Sequence, residues 1–135
     1  MKRFLLDTNA AGHYINRRHG IRERALQEVA QGNRIGICMP VLAELWFGVE
    51  NSSSRERNAQ RLLTMVADWT IWPFEVHAAR EYGRLAAELK RLGRPMQQID
   101  IMIAAIALTV GDCAVVSSDN DFNIVPRLLV ANWSA

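Results

Sequence analysis

The stretch Arg3-Phe4-Leu5-Leu6-Asp7-Thr8-Asn9 decides the fold, because a short apolar run ends abruptly in an acid and two further polar residues. An uninterrupted apolar run of this kind is typical of a strand that is buried on both faces of a parallel sheet. The rest of the chain alternates similar short runs with longer amphipathic segments, which implies right-handed strand–helix–strand crossovers. We therefore predict an α/β fold, a three-layer α/β/α sandwich around a central parallel sheet of four to five strands.

The predicted elements follow from hydrophobic periodicity and from turn residues. Strands are predicted at residues 3–6, 35–39, 70–72, 114–117 and 128–130. Helices are predicted at residues 23–31, 40–49, 55–68, 75–91 and 100–110. Pro40 suits the first turn of a helix, and Gly93 and Gly111 suit helix ends.

Composition describes an ordinary globular protein. The 135 residues are 50% hydrophobic and 22% charged, which suits a single domain spanning 1–135. A net charge of +2 is too small to establish a nucleic-acid partner. Cys38 and Cys113 lie in or beside apolar runs, outside any CxxC motif, and are expected to be buried free thiols. No apolar h-region follows Met1 and no apolar stretch reaches transmembrane length, so we expect a cytoplasmic protein without a membrane partner.

Four acids stand where a strand ends or a helix begins: Asp7, Glu44, Asp100 and Asp119. Because carboxyl ends of parallel strands and amino ends of their helices share one sheet edge, these side chains are expected to converge there. Such a cluster needs protonation or a hard divalent cation, Mg²⁺ or Mn²⁺. Taken singly, each acid also fits a structural role, as a turn residue, a helix cap, a helix-surface residue or part of a polar loop.

Four motifs carry a family resemblance. Residues 6–9 (LDTN) resemble the opening motif of PIN-domain nucleases, and residues 43–48 (AELWFG), followed by Ser52, resemble the second acidic motif of the VapC-type toxins in that family. Residues 100–107 (DIMIAAIA) resemble the third motif, an acid heading an Ile/Ala-rich helix. Residues 116–122 (VSSDNDF) resemble the fourth, with Ser117 where threonine is more usual. The resemblance covers residues 2–133.

This resemblance implies a metal-dependent endoribonuclease that acts as the toxin of a toxin–antitoxin pair. The implied catalytic and metal-binding residues are Asp7, Glu44, Asp100 and Asp119. Supporting roles in positioning acids or water fall to Thr8, Asn9, Ser117 and Asp121. Since the last motif offers two acids, either Asp119 or Asp121 is the fourth ligand, and we favour Asp119. The bound ion would be Mg²⁺ (or Mn²⁺), which activates water and neutralises charge on the reacting phosphate.

Contacts with partners are predicted at two places. Arginines shortly after the first strand are candidates for RNA phosphate binding, although a solvated charged surface explains each of them equally well: Arg17, Arg18, Arg22 and Arg24. Trp46 and Phe47 are adjacent on one helix and cannot both point inward, so one of them is expected to face a groove or a partner. The resemblance implies that this partner is the antitoxin, and the alternative is that both residues complete the core. The resemblance also implies a homodimer.

Three other functions fit parts of the pattern. A DNA-directed or structure-directed nuclease would use the same acids, and a catalytically idle α/β binding module would use them only as caps. A phosphorylatable receiver-like domain also gathers acids at strand ends. It needs a lysine after its last strands, and no lysine follows Lys90, which argues against it.

Overall fold

The computed structural model describes residues 1–134 and contains one five-stranded sheet, in which every neighbouring pair of strands is parallel. The strands are β1 (Arg3–Leu6), β2 (Arg34–Cys38), β3 (Thr70–Trp72), β4 (Cys113–Val116) and β5 (Leu129–Ala131). Their order across the sheet is β3-β2-β1-β4-β5. The predicted parallel α/β fold is thereby confirmed.

Within residues 1–134, six α-helices and one 3₁₀ helix connect the strands. The α-helices are α1 (Thr8–Ile15), α2 (Ile21–Ala30), α3 (Met39–Glu50), α4 (Arg55–Val66), α5 (Val76–Arg91) and α6 (Gln98–Val110), and the 3₁₀ helix is Asn120–Ile124. Among these residues, none of the helices is both long enough and apolar enough to cross a bilayer.

The order in which strands are added to the sheet reverses beside β1. From β1 the chain passes to β2 and β3 on one side, and then returns to β4 and β5 on the other. Phe4 of β1 is paired with Ile35 of β2 on one side and with Ala114 of β4 on the other. In open α/β sheets such a switch point leaves a crevice at the carboxyl ends of the strands, where sites are built.

Both faces of the sheet are covered by helices. Leu5 and Leu6 are each 0% exposed although they are consecutive, and successive strand residues point to opposite faces. Val115 and Val116 repeat this pattern in β4. Helices α5 and α6 pack against each other, as do α1 and α2. Burial of both faces explains why these strands read as continuous apolar runs.

Some element boundaries differ from the sequence prediction. Helix α1 was absent from the predicted elements, and it begins directly after β1 because Asp7 caps it. Strands β2, β4 and β5 are each displaced by one residue from their predicted bounds. Helix α6 begins two residues earlier than predicted, which places Asp100 inside the first helical turn.

Candidate active site

Asp7 stands at the switch point and is held from two directions. Its Oδ1 accepts a hydrogen bond from the Ala10 N–H at 2.7 Å, which caps helix α1. Its own N–H donates to the Val116 carbonyl at 3.1 Å, which ties it to β4. The carboxyl is buried, with 5% of the residue exposed. Asp7 is therefore a helix cap, as its local sequence allowed, and it also projects into the cavity described below.

Glu44 reaches the same edge from helix α3. This helix follows β2 without an intervening loop, so its first turns lie at the carboxyl end of the sheet, and Pro40 is accommodated at its start. The Thr8 hydroxyl donates a hydrogen bond to Glu44 Oε1. This contact joins the start of α1 to the middle of α3 and fixes one oxygen of the Glu44 carboxylate.

Asp100 is brought to the edge by the direction of α6. The helix leads into β4 and runs opposite to it, so its amino end lies at the carboxyl end of the sheet. The N-cap of α6 is Gln97, and Asp100 lies in the first turn. The interpretation of Asp100 as a plain N-cap is therefore wrong. An acid at this position also interacts favourably with the helix dipole.

The loop after β4 carries the remaining acids. The Asp119 N–H donates to Ser117 Oγ at 2.9 Å, and Asp119 Oδ1 accepts the Asp121 N–H at 2.9 Å. The second of these bonds caps the 3₁₀ helix, and it leaves the other Asp119 oxygen outside this turn. Ser117 is buried, with 3% exposed, and Asp119 and Asp121 are exposed.

The four predicted acids converge on one cavity of about 320 Å³. It is lined by Asp7, Thr8, Asn9, Glu44, Gln97, Asp100, Asp119 and Asp121. Every predicted acid and supporting residue lines this cavity except Ser117, whose hydroxyl oxygen accepts the Asp119 N–H. The sequence analysis missed Gln97. Its position one helical turn before Asp100 was the available signal, because residues three apart share a helix face.

The electrostatics of the cavity are those of crowded carboxylates. Burial raises the pKa of Asp100 to about 6, and the neighbouring charges of Asp119, Asp7, Glu44 and Asp121 add to that rise. Burial also raises the pKa of Asp7, an effect that the hydrogen bonds from Ser117 and from the Ala10 N–H partly offset. The cluster is therefore strained by like charges at neutral pH, and a proton or a cation relieves it.

The spacing of these acids is loose. Among residues 1–134, no three His, Cys, Asp or Glu side chains are grouped as ready-made ligands of one ion. The donor set consists of hard carboxylate oxygens, which is the set that Mg²⁺ and Mn²⁺ prefer. Mg²⁺ usually keeps several waters and is held by one or two carboxylates together with substrate phosphate, so an open cavity of acids suits it better than a closed cage.

The predicted RNA-binding arginines have two kinds of environment. Arg17 and Arg18 are exposed between α1 and α2, and the charge of Arg18 acts on His13, which also interacts with Asp7. By contrast, Arg24 Nε lies 3.0 Å from Glu28 Oε2, and its guanidinium stacks over the Trp133 ring.

Arg22 is partly buried, and its Nη1 is buried without a hydrogen-bond partner among the described residues. Its guanidinium lies 5.7 Å from the centre of the Tyr14 ring. Arg24 is exposed as well, but within residues 1–134 Arg17 and Arg18 are the members of the predicted set whose side chains make neither an ion pair nor a ring contact. An RNA-binding role stays a prediction for all four arginines.

The predicted antitoxin-binding pair is split between interior and surface. Phe47 is 70% exposed, whereas Trp46 is partly buried, as expected for adjacent residues of one helix. Beside them, helices α1, α3 and α4 form an open groove of about 190 Å³. It is lined by Gly12, Ile15, Asn16, Leu45, Gly48, Val49, Asn58, Arg61 and Leu62. Antitoxin binding at this surface stays a prediction.

Comparison with known proteins identifies relatives over the whole fold. A PIN-domain family model matches residues 4–128. The chain is 31% identical to ribonuclease VapC2 of Rickettsia felis, over 96% of this chain and 97% of the relative. It is 34% identical to the tRNA(fMet)-specific endonuclease VapC of Shigella flexneri, over 99% of this chain and 100% of the relative.

Solved structures agree with these relatives. The crystal structure of VapBC2 from Rickettsia felis, bound to a DNA fragment from their promoter, superposes with a TM-score of 0.89 at 30% identity, covering 97% of this chain and 98% of that one. DNA-bound VapBC from Salmonella typhimurium also superposes with a TM-score of 0.89, at 32% identity and with 98% and 99% of the two chains covered. The chain therefore belongs to the PIN-domain family and groups with its VapC ribonucleases.

Proposed function

We propose that this chain is a metal-dependent endoribonuclease and the toxin of a toxin–antitoxin pair. One observation carries the proposal: five carboxylates from four chain segments line a single cavity at the switch point of the sheet. They are Asp7, Glu44, Asp100, Asp119 and Asp121. Caps and turns alone do not require these segments to aim their acids at one point. The relatives are named as a ribonuclease and a tRNA endonuclease, and from these names we infer that the reaction is RNA cleavage.

The cavity would hold Mg²⁺ (or Mn²⁺) through Asp7, Glu44, Asp100 and Asp119. When bound, the ion supplies activation of water and neutralisation of charge on the reacting phosphate. The raised pKa of Asp100 supports this assignment, because burial and the neighbouring carboxylates both disfavour the charged form of Asp100, and a bound cation would favour it. Without a cation, the same charges would repel an RNA phosphate.

The surrounding residues orient the acids. Thr8 fixes one oxygen of Glu44, and the Ala10 N–H fixes one oxygen of Asp7. Ser117 anchors the loop that carries Asp119. Asp119 uses one oxygen to cap the following turn, and its second oxygen is available to orient the attacking water. Partners of this kind hold the ligands of metal sites in place.

The proposed substrate is RNA, gripped outside the acidic cavity by positive charge. The exposed Arg17 and Arg18 would contact phosphates and offset the repulsion between the carboxylates and the RNA backbone. Because one relative is named as specific for tRNA(fMet), that RNA is the first individual substrate to test. Because the proposed substrate is cellular RNA, we also propose that the protein acts in the cytoplasm.

The proposed partners are an antitoxin and a second copy of the chain. Relatives have been solved as VapBC complexes, and the groove beside the exposed Phe47 would receive an apolar segment of the antitoxin. A homodimer is supported by apolar residues exposed at both ends of α5, Val76 at 81% and Leu92 at 58%. Light scattering of the isolated chain at micromolar concentration tests the dimer, and a monomer would contradict it.

The test of the activity uses the purified chain with RNA and with single-stranded DNA, each in Mg²⁺ and in EDTA. We expect RNA to be cut in Mg²⁺, with little cutting in EDTA and little of DNA. Equal cutting of DNA would indicate a nuclease without preference for RNA, and absence of cutting in every arm would indicate a binding module.

A further inference from the structure

Gln97 is the cavity residue that neither the acidic motifs nor the metal chemistry explains. It is contributed by the connection between α5 and α6, and its carboxamide does not hydrogen-bond to the backbone of the helix it caps. The residue is exposed, so the side chain lies at the rim of the cavity, where substrate meets solvent. The other uncharged residues of the lining, Thr8 and Asn9, both belong to the first acidic motif, and Thr8 donates its hydroxyl to Glu44.

A carboxamide beside five carboxylates has a specific chemical capacity. It carries two N–H donors and one carbonyl acceptor without any charge, so it neither repels RNA phosphate nor competes for the cation. A donor and an acceptor held side by side match the edge of a nucleobase, and the pairing of glutamine with the N6/N7 edge of adenine is the well-established case. Single-stranded RNA exposes such edges.

We propose that Gln97 is a specificity-determining residue that reads the base edge of an adenine adjacent to the scissile phosphate. The proposal rests on the proposed ribonuclease function of the cavity. Asp7 is buried and Glu44 and Asp100 are partly buried, so the reacting phosphate must lie deeper than the exposed Gln97, and the Gln97 side chain meets the nucleotide next to that phosphate. Gln97 then selects which bond enters the cavity, and the acids cleave it.

The alternative is a positioning role, in which the Gln97 amide donates to Asp100, its neighbour one turn away. The two roles differ in what they change. Loss of a positioning contact slows cleavage at every site by the same factor. Loss of base reading removes the advantage of one base over the others and leaves cleavage at other sites near its original rate.

The experiment compares Gln97→Ala with wild type on bulk cellular RNA in Mg²⁺, with the cut ends mapped by sequencing. Gln98→Ala is the matched control, because Gln98 is also exposed, begins the same helix and does not line the cavity. Gln97→Asn is the second variant, since it keeps an amide but shortens its reach. Thermal unfolding checks that each variant is folded.

We expect wild type and Gln98→Ala to favour adenine at one position beside the cut. Gln97→Ala and Gln97→Asn should reduce that preference about tenfold, which is the size of discrimination that a bidentate contact gives. An unchanged preference, a uniform loss of rate, a preferred base other than adenine, or wild-type cutting without any preference would overturn the proposal. Absence of RNA cutting by wild type would instead refute the proposed function.

Discussion

The Thr8 hydroxyl donates to Glu44 Oε1 across 36 positions of sequence, and this bond links two of the four acidic segments. Thr8 directly follows Asp7, so the first turn of α1 both positions Asp7 and orients Glu44. The bond leaves Glu44 with one oxygen for other partners. Because Thr8 and Glu44 both line the cavity, this bond couples the start of α1 to α3 at the site.

Thr8→Val should lower the rate of RNA cleavage by about tenfold, in the range seen when the partner of a metal ligand is lost. Valine keeps the shape of threonine and removes the hydroxyl that holds Glu44. Thr8→Ser is the control, because it keeps the hydroxyl and should retain most activity. Equal activity of the valine and serine variants in a single-turnover assay would contradict the assigned role of this bond.

The stability of the metal-free protein should depend on pH through Asp100. Its pKa is raised from 3.8 to about 6 in the folded state, mainly by burial, so between these values the folded state binds more protons than the unfolded state. This contribution therefore destabilises the protein as pH rises through that window. Relative to wild type, Asp100→Asn should gain about 1 kcal/mol of unfolding free energy at pH 7, a figure that allows for solvent screening of a partly exposed carboxyl.

Urea unfolding in EDTA at pH 5 and pH 7 measures this difference. The exposed Glu56, which does not line the cavity, supplies the control variant Glu56→Gln. We expect the advantage of Asp100→Asn over wild type to shrink at pH 5, while Glu56→Gln follows wild type. An advantage that is absent at pH 7, or that grows at pH 5, would show that burial and the neighbouring charges do not raise the pKa of Asp100.

The exposed arginines should govern the salt dependence of RNA binding. The double variant Arg17→Asn/Arg18→Ala should weaken binding to all RNA sequences and reduce the slope of log affinity against log salt by about 1.4, the value for two phosphate contacts on a single strand. Asparagine is chosen at position 17 because φ is +56° there, a conformation that asparagine tolerates.

Arg24→Ala is the matched control, because its charge is already paired with Glu28. We expect it to leave the salt slope near that of wild type. A nitrocellulose filter-binding titration at several salt concentrations, in EDTA to prevent cleavage, gives the slopes. Identical slopes for the double variant and wild type would move the phosphate contacts elsewhere.

Phe47→Glu should weaken neutralisation by the antitoxin without abolishing RNA cleavage. The side chain is 70% exposed and stands beside the groove between α1, α3 and α4, so a carboxylate there costs little folding energy but opposes an apolar partner. Leu26→Glu is the control, since Leu26 is 54% exposed on α2. Titration of cleavage activity with antitoxin compares the variants, and equal inhibition of both would place the interface elsewhere.

The sheet and the position of the acids at its edge could be predicted from sequence because both depend on local patterns. Buried parallel strands are continuous apolar runs, and the acids follow them directly. Helix α1 escaped prediction because it is short, contains Gly12 and follows a polar motif that also fits a turn. Asp7 caps helix α1 by accepting the Ala10 N–H, and it also lines the acidic cavity. A structural role as a helix cap is therefore compatible with a role in the site.

Other features depended on tertiary contacts that no local pattern contains. Arg24 looked equivalent to Arg18 in sequence, yet the fold places it against Glu28 and the Trp133 ring. Gln97 appeared to be a loop residue, and it reaches the cavity only because α6 runs opposite to β4. The burial that raises the pKa of Asp100 likewise arises from assembly of separate segments.

RNA cleavage by Asp7→Asn tests the central claim most directly. Asparagine caps helices as well as aspartate does, so the variant should keep the bond from Ala10 and remain folded while it loses the carboxylate. In Mg²⁺, with RNA in excess, we predict that the cleavage rate falls at least about 100-fold, beyond the loss expected for a supporting partner, while the melting temperature is unchanged or higher. Cleavage near the wild-type rate by this folded variant would contradict the assignment of the acidic cavity as the active site.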